Sequence, residues 1–264
     1  MDVSAYLARL GLDPADVRPP NLRALERLQR AHVATVPFET LAITGDPFDR
    51  RDGEGVSLSR ADLYDKLVER ERGGFCYELN GLFGWFLGEL GFDVERRAAM
   101  VLSDDGARPP ANHLTHVVSL DRQYVADVGL GVPTMRRPVA LDGDATDPDA
   151  AGVAWRVAES DRPDVDFAAE YRESGGDWTT RYVFRDVPRE TSYFEATCEW
   201  LATAPESPFT GDPVVSLATE RGHRKLSPGA LTHRTAADER ERSLDEAEYY
   251  DALEREFGID YRPR

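Results

Sequence analysis

The spacing of apolar residues changes character along this 264-residue chain, and that change limits what it can fold into. Over the first ninety or so residues the spacing is helical. Leu22, Leu25 and Leu28 repeat on one helix face, with Asn21 placed as the cap after Pro19-Pro20. Ser59 and Asp62 read as a capping box with a shorter acid, ahead of an apolar stripe of Leu63, Leu67 and Val68. A further helix is predicted over residues 75–90, closed by Gly91. The middle reads as strands, at 96–102, 154–158, 165–171 and 178–185. Residues 116–120 and 124–128 form a hairpin pattern around Asp121-Arg122-Gln123. Residues 142–149 are small and acidic and read as an exposed loop. The last seventy residues mix helix (192–203, 244–257) with short strands (214–219, 224–226) around Gly222. The chain is long for one core. We read it as a mixed α+β protein in three units, 1–91, 92–190 and 191–264.

Net charge is −17, and thirty of the 32 basic residues are arginine, leaving only Lys66 and Lys225 as lysines. A surface this acidic repels nucleic acid and anionic lipid, so neither is an expected partner. The acids are spread along the chain, as suits solubility in a salt-rich, halophilic cytoplasm. At 41% hydrophobic residues the chain can build a core. The longest apolar stretch, near residues 82–90, is interrupted by Gly84, Gly88 and Glu89 and is too short to span a bilayer. No basic segment leads an apolar run at the N-terminus, so no signal peptide is expected and the location is read as cytoplasmic. Cys76 and Cys198 are the only cysteines, too few for a secreted disulfide scaffold.

The chemistry concentrates in Arg72-Gly73-Gly74-Phe75-Cys76-Tyr77-Glu78-Leu79-Asn80. A cysteine in the first turn of a helix sees the positive end of the helix dipole and unpaired N–H groups, which favour thiolate over thiol. Such a nucleophile needs a base. His116 starts a predicted strand in Leu114-Thr115-His116-Val117-Val118, whereas His113 falls in a predicted loop after Pro109-Pro110-Ala111-Asn112. Asp127, flanked by apolar residues on the next strand, is costly to bury unless paired, and an imidazole would pair it. Taken singly, Cys76 also fits an inert buried thiol, His116 a structural histidine and Asp127 a turn-end residue. Cys76, His113 and His116 lack metal-ligand spacing, so no metal is expected.

Together these motifs, with Val125-Ala126-Asp127-Val128-Gly129-Leu130-Gly131, resemble the arylamine N-acetyltransferases. So do Val36-Pro37-Phe38-Glu39-Thr40-Leu41 and Ser207-Pro208-Phe209. The resemblance implies an N-terminal helical bundle, a central β-barrel and a C-terminal α/β lid around a cysteine-protease-like core. It implies a triad of Cys76, His116 and Asp127. Acetyl-coenzyme A would serve as acyl donor in a ping-pong reaction with an arylamine, hydrazine or N-hydroxyarylamine acceptor. Phe38, Leu130 and Phe209 become candidates for the acceptor pocket, and Gly129, Gly131 and Arg72 for the cofactor, with Arg136 and Arg137 as further cations. Leu130 stands where the family often has an aromatic residue, and Thr40 where it often has asparagine. The triad alone does not separate an acetyltransferase from a cysteine hydrolase or an amide synthase with another acyl donor, nor from a binding relative that has lost catalysis. Oligomeric state and physiological acceptor are not encoded in any motif.

Overall fold

The structure, a computed structural model, describes residues 1–102 and 109–262. The helical spacing of the N-terminal region becomes α1 (Val3–Arg9), α2 (Leu22–Thr35), the two-residue strand β1 (Phe38–Glu39), α3 (Leu41–Thr44), α4 (Arg60–Tyr64, prolonged by a π turn over Asp65–Glu69) and α5 (Cys76–Glu89). Asn21 caps α2 as read, its Oδ1 accepting from the Ala24 N–H at 2.9 Å. The box expected at the start of α4 does not form. Asp62 instead accepts from the Ser57 hydroxyl at 2.7 Å, and Ser59 caps nothing. Helix α5 is apolar on nearly all sides, and such a helix must be covered all round. Leu25 and Leu28 of α2, Leu67 of the π turn, and Phe83 and Phe86 of α5 fill one core.

Seven antiparallel strands follow: β2 (Asp93–Val101), β3 (His113–Ser119), β4 (Gln123–Ala126), β5 (Val139–Ala140), β6 (Val153–Glu159), β7 (Phe167–Glu173) and β8 (Thr179–Pro188). Their order is β5-β4-β3-β2-β8-β7-β6, and the edge strands β5 and β6 lie against each other, so the sheet is a nearly closed barrel. Val117, Val125, Val157, Tyr182 and Phe184 belong to its core.

The C-terminal part comprises α6 (Glu195–Thr203), β9 (Val215–Ala218), β10 (Gly222–Ser227), β11 (Ala230–Thr235), β12 (Glu239–Ser243) and α7 (Glu246–Phe257). The four strands take β1 as an edge, in the order β1-β9-β10-β11-β12, with Phe38 opposite Ser216. Strands β11 and β12 escaped the sequence reading, because β12 is a run of exposed charged residues with no apolar face. Helix α7 closes this sheet through Tyr249, Leu253 and Phe257. The architecture is thus the α+β one expected. No helix of the described residues is long and apolar enough to cross a membrane.

Candidate active site

Cys76 is the first residue of α5, so its N–H is among those a helix leaves without an internal acceptor. The turn before it is tied down from within. The Phe75 N–H donates to Glu78 Oε2 at 3.1 Å, and Lys66 Nζ donates to both Glu78 oxygens at 2.8 Å. Arg72 Nη2 donates to Glu39 at 2.7 Å, and Lys66 lies 3.7 Å from the same carboxylate. All four side chains are buried. Burial raises Glu78 above the usual carboxylate range, with Lys66 pulling against it. Glu39 suffers the same burial, but Lys66 and Arg72 together hold it below.

Strand β3 begins at His113, three residues before the predicted start. His113 Nε2 lies 2.6 Å from Asp127 Oδ2, both side chains being almost wholly buried. Asp127 Oδ1 accepts from Asn80 Nδ2 at 2.8 Å and from the Gly129 N–H at 2.9 Å. Burial alone would raise this carboxyl. The His113 ring beside it, by electrostatics and by hydrogen bond, together with those donors, holds it below its ordinary value, so it is ionised. The Tyr182 ring lies 5.2 Å from the imidazole, centroid to centroid, and limits its tilt. Asn112, just ahead of His113, is fixed by bonds to both the N–H and the C=O of Val101, at 2.8 and 3.3 Å.

Cys76 and His113 face one cavity of about 280 Å³. Its walls include Phe38, Leu130 and Phe209, the three residues expected in an acceptor pocket, together with Gly129 and Gly131. The rings of Phe38 and Phe209 are 6.3 Å apart. Cys76 Sγ is 3.9 Å from the Asn112 carbonyl. Burial pushes the thiol well up, and the neighbouring Cys198 and Asp127 push the same way. The thiol therefore cannot ionise alone. It can give its proton to an imidazole within the site, because that transfer leaves the net charge of the site unchanged and the Asp127 carboxylate stabilises the imidazolium. With Nε2 committed to Asp127, Nδ1 is the His113 nitrogen left for that exchange.

The chain matches the N-acetyltransferase family over residues 21–263. It is 35% identical to the arylamine N-acetyltransferase of Mycolicibacterium smegmatis, over 98% of this chain and 92% of the relative. The chain belongs to the arylamine N-acetyltransferase family. Among solved structures it resembles the Mycobacterium marinum arylamine N-acetyltransferase in complex with CoA, with a TM-score of 0.83, 30% identity, and coverage of 98% of this chain and 93% of that one. It also resembles the Bacillus cereus arylamine N-acetyltransferase described as having a unique Cys-His-Glu catalytic triad. There the TM-score is 0.86 and the identity 25%, over 98% and 99% of the two chains.

Against this family background two expectations need correction. The histidine beside Asp127 is His113, not His116. Side chains alternate faces along a strand, and residues three apart point to opposite sides. His116 points to the helices, where it rests on Gly84 so closely that a Cβ there would lie 2.3 Å from its Nε2. Neither ring nitrogen of His116 has a hydrogen-bond partner. Burial, with the charge of Arg96, pushes its pKa down to about 3, so it is an uncharged core residue. The second correction concerns Arg72. It lies outside the cavity, buried and paired with Glu39 and Glu54, and so is no cofactor ligand. Arg136 and Arg137 also line a different cavity.

Two further residues meet this site that were given no role from sequence. Asn80 sits one helical turn after Cys76 and holds Asp127, the Leu114 carbonyl at 2.6 Å and the Val128 N–H at 2.9 Å. Lys225 lines the cavity at its exposed side. The parity of the hairpin could have found His113. The observed register puts His116 opposite Ala126. Continued by one residue, it sets Asp127 opposite Thr115, on the face of odd-numbered residues that includes His113.

Proposed function

We propose that this protein transfers an acetyl group from acetyl-coenzyme A to the nitrogen, or oxygen, of an arylamine, hydrazine or N-hydroxyarylamine, by a ping-pong route through an acetyl-Cys76 thioester. The observation that carries this reading is the placement of Cys76 and the Asp127-anchored His113 on one cavity. In the first half-reaction His113 takes the Cys76 proton, the thiolate attacks the acetyl carbonyl, the C–S bond to coenzyme A breaks, and coenzyme A leaves as its thiol with the proton returned by His113. The Cys76 N–H is the candidate donor to the developing oxyanion. In the second half-reaction the amine attacks the thioester, His113 removes its proton as general base, and Asp127 stays ionised and orients the ring. Phe38, Leu130 and Phe209 offer an apolar wall to an aromatic acceptor. Leu130 presents less flat surface than an aromatic residue would, which favours acceptors not stacked at that point.

The test is intact mass spectrometry after incubation with acetyl-coenzyme A and no acceptor, beside a Cys76→Ala control. One acetyl group should appear on the wild type only, and should leave as N-acetyl product when an arylamine is added. Adduct formation only with longer acyl thioesters would point to an amide synthase. Loss of the adduct to water at the same rate with and without amine would point to a hydrolase. The protein is proposed to act in a salt-rich cytoplasm, where screening relieves the self-repulsion of 17 net negative charges. Stability and rate that stay equal between low and molar salt would sink that part.

A further inference from the structure

The chain carries thirty arginines against 49 acids. One concave region gathers five of those arginines. Arg23, Arg27 and Arg30 recur along one face of α2, and Arg136 and Arg137 meet them from the segment before β5. All five line a single cavity of about 620 Å³. Three acids share the lining, Glu26, Asp149 and Glu220, so it carries two more positive than negative side chains in a chain of opposite overall sign.

Two of the five arginines are spoken for. Arg27 pairs with Asp16 at 2.7 Å. Arg136 is buried, pairs with Asp149 at 2.8 Å and donates to the carbonyls of Thr219 (at 2.7 Å) and Gly222. It forms the fixed floor of the bowl. The side chains of Arg23, Arg30 and Arg137 make no ion pair and no hydrogen bond with any described residue. Arg30 is near enough that its charge, after burial, works against that of Arg136. Like charges gathered in a concave site, with acids abundant elsewhere, carry a standing repulsion that an anion would relieve. Guanidinium groups bind phosphate oxygens through paired, charge-assisted hydrogen bonds.

We propose that this arginine bowl is a binding site for a polyphosphate group of a small molecule, with Arg23, Arg30 and Arg137 as its ligands. The bowl shares no lining residue with the Cys76 cavity. A small void that touches Val132 of that cavity and Arg136 and Asp149 of the bowl lies between them. The phosphates can therefore come from two sources: the nucleotide end of coenzyme A, or a separate nucleotide or pyrophosphate.

The experiment is calorimetric titration of the full chain with inorganic pyrophosphate, ADP and coenzyme A at fixed ionic strength. It compares wild type, the double variant Arg30→Gln/Arg137→Gln, and Arg162→Gln as a control outside the bowl. The side chains of both bowl residues lack partners among the described residues, so their replacement should leave the fold intact, which the thermal midpoint checks. Pyrophosphate should bind wild type and control saturably, and the double variant should lose about tenfold affinity for each guanidinium removed. Parallel loss for coenzyme A would assign the bowl to that molecule's phosphates. Unchanged coenzyme A binding beside lost pyrophosphate and ADP binding would assign it to a separate ligand. Absence of saturable pyrophosphate and ADP binding to wild type, or equal binding by the double variant, overturns the proposal. None of these readouts requires acetyl transfer, so they stand or fall apart from the proposed reaction.

Discussion

Asn80 lies one turn beyond Cys76 on α5, and its Nδ2 donates to Asp127 Oδ1 at 2.8 Å, so one helix both presents the Cys76 thiol and orients the Asp127 carboxylate. The same carboxamide accepts from the Val128 N–H and donates to the Leu114 carbonyl. Asn80→Ala takes a partner from three buried polar groups, of which Asp127 keeps the Gly129 N–H, so the Leu114 carbonyl and the Val128 N–H carry the cost, at about 1–3 kcal/mol each where no water replaces the amide. We expect a stability loss of about 3 kcal/mol in denaturant titration and slower acylation of Cys76. A variant as stable and as fast as wild type would show that the Asn80 bonds position nothing.

The two histidines three residues apart should separate cleanly. Iodoacetamide should alkylate Cys76 readily near pH 7 in wild type and in His116→Leu. In His113→Gln the rate should fall by about 10²–10⁴-fold, because the thiol raised by burial then has no base. Peptide mass mapping distinguishes Cys76 from Cys198. Loss of reactivity in His116→Leu with retention in His113→Gln would reverse the assignment.

Two buried histidines make the fold sensitive to acid in a definite direction. Burial pushes both His32 and His116 to about 3, well below the usual 6.5. Between those values the unfolded chain binds protons that the folded chain refuses, so stability is fullest above about pH 6.5 and falls as pH drops. Each contributes about 1.4 kcal/mol per pH unit within that window. The difference in unfolding free energy between His116→Leu and wild type should therefore shift in favour of the variant as pH falls from 6.5 to 5. A difference independent of pH would mean that His116 is protonated in the native state.

Gly129 is constrained by closeness rather than by backbone angle. A Cβ there would lie 2.4 Å from Asn80 Nδ2 and 2.8 Å from the Cys76 carbonyl oxygen. Gly129→Ala must push the segment after Asp127 away from α5. Acylation should drop by at least about tenfold, since small misplacements of reacting groups are costly, while circular dichroism stays close to wild type. Unaltered acylation would mean that this segment can shift without disturbing the triad.

How far the sequence announced these relationships differs from one residue to the next. Helix α2 and its Asn21 cap follow from local spacing and hydrogen-bond chemistry, and so does the end of α5 before Gly91, which takes φ 92°. The place of Cys76 at the start of a helix was legible because its context is local. Asp127 was legible as a buried acid needing a partner. Its partner was not, because His113 follows Pro109-Pro110 and looks like loop. Asn112 turns that stretch into strand by bonding Val101, a contact between segments. Arg72 misled for a related reason. An arginine beside a nucleophile looks available until Glu39, thirty-three positions upstream, is seen to hold it.

The two-residue strand β1 has a consequence for how this protein can be divided. Phe38 and Glu39 pair with Ser216 and Val215 on one side, and on the other the Glu39 N–H donates to the Gly74 carbonyl at 2.9 Å and the Gly74 N–H to the Pro37 carbonyl at 3.1 Å. The loop leading into Cys76 is thereby stitched through β1 to a sheet encoded after residue 214. A fragment ending near residue 190 would contain Cys76, His113 and Asp127 and yet leave β1 with an open edge beside Cys76. Splitting the gene there should thus yield halves that recover acylation only when they reassemble.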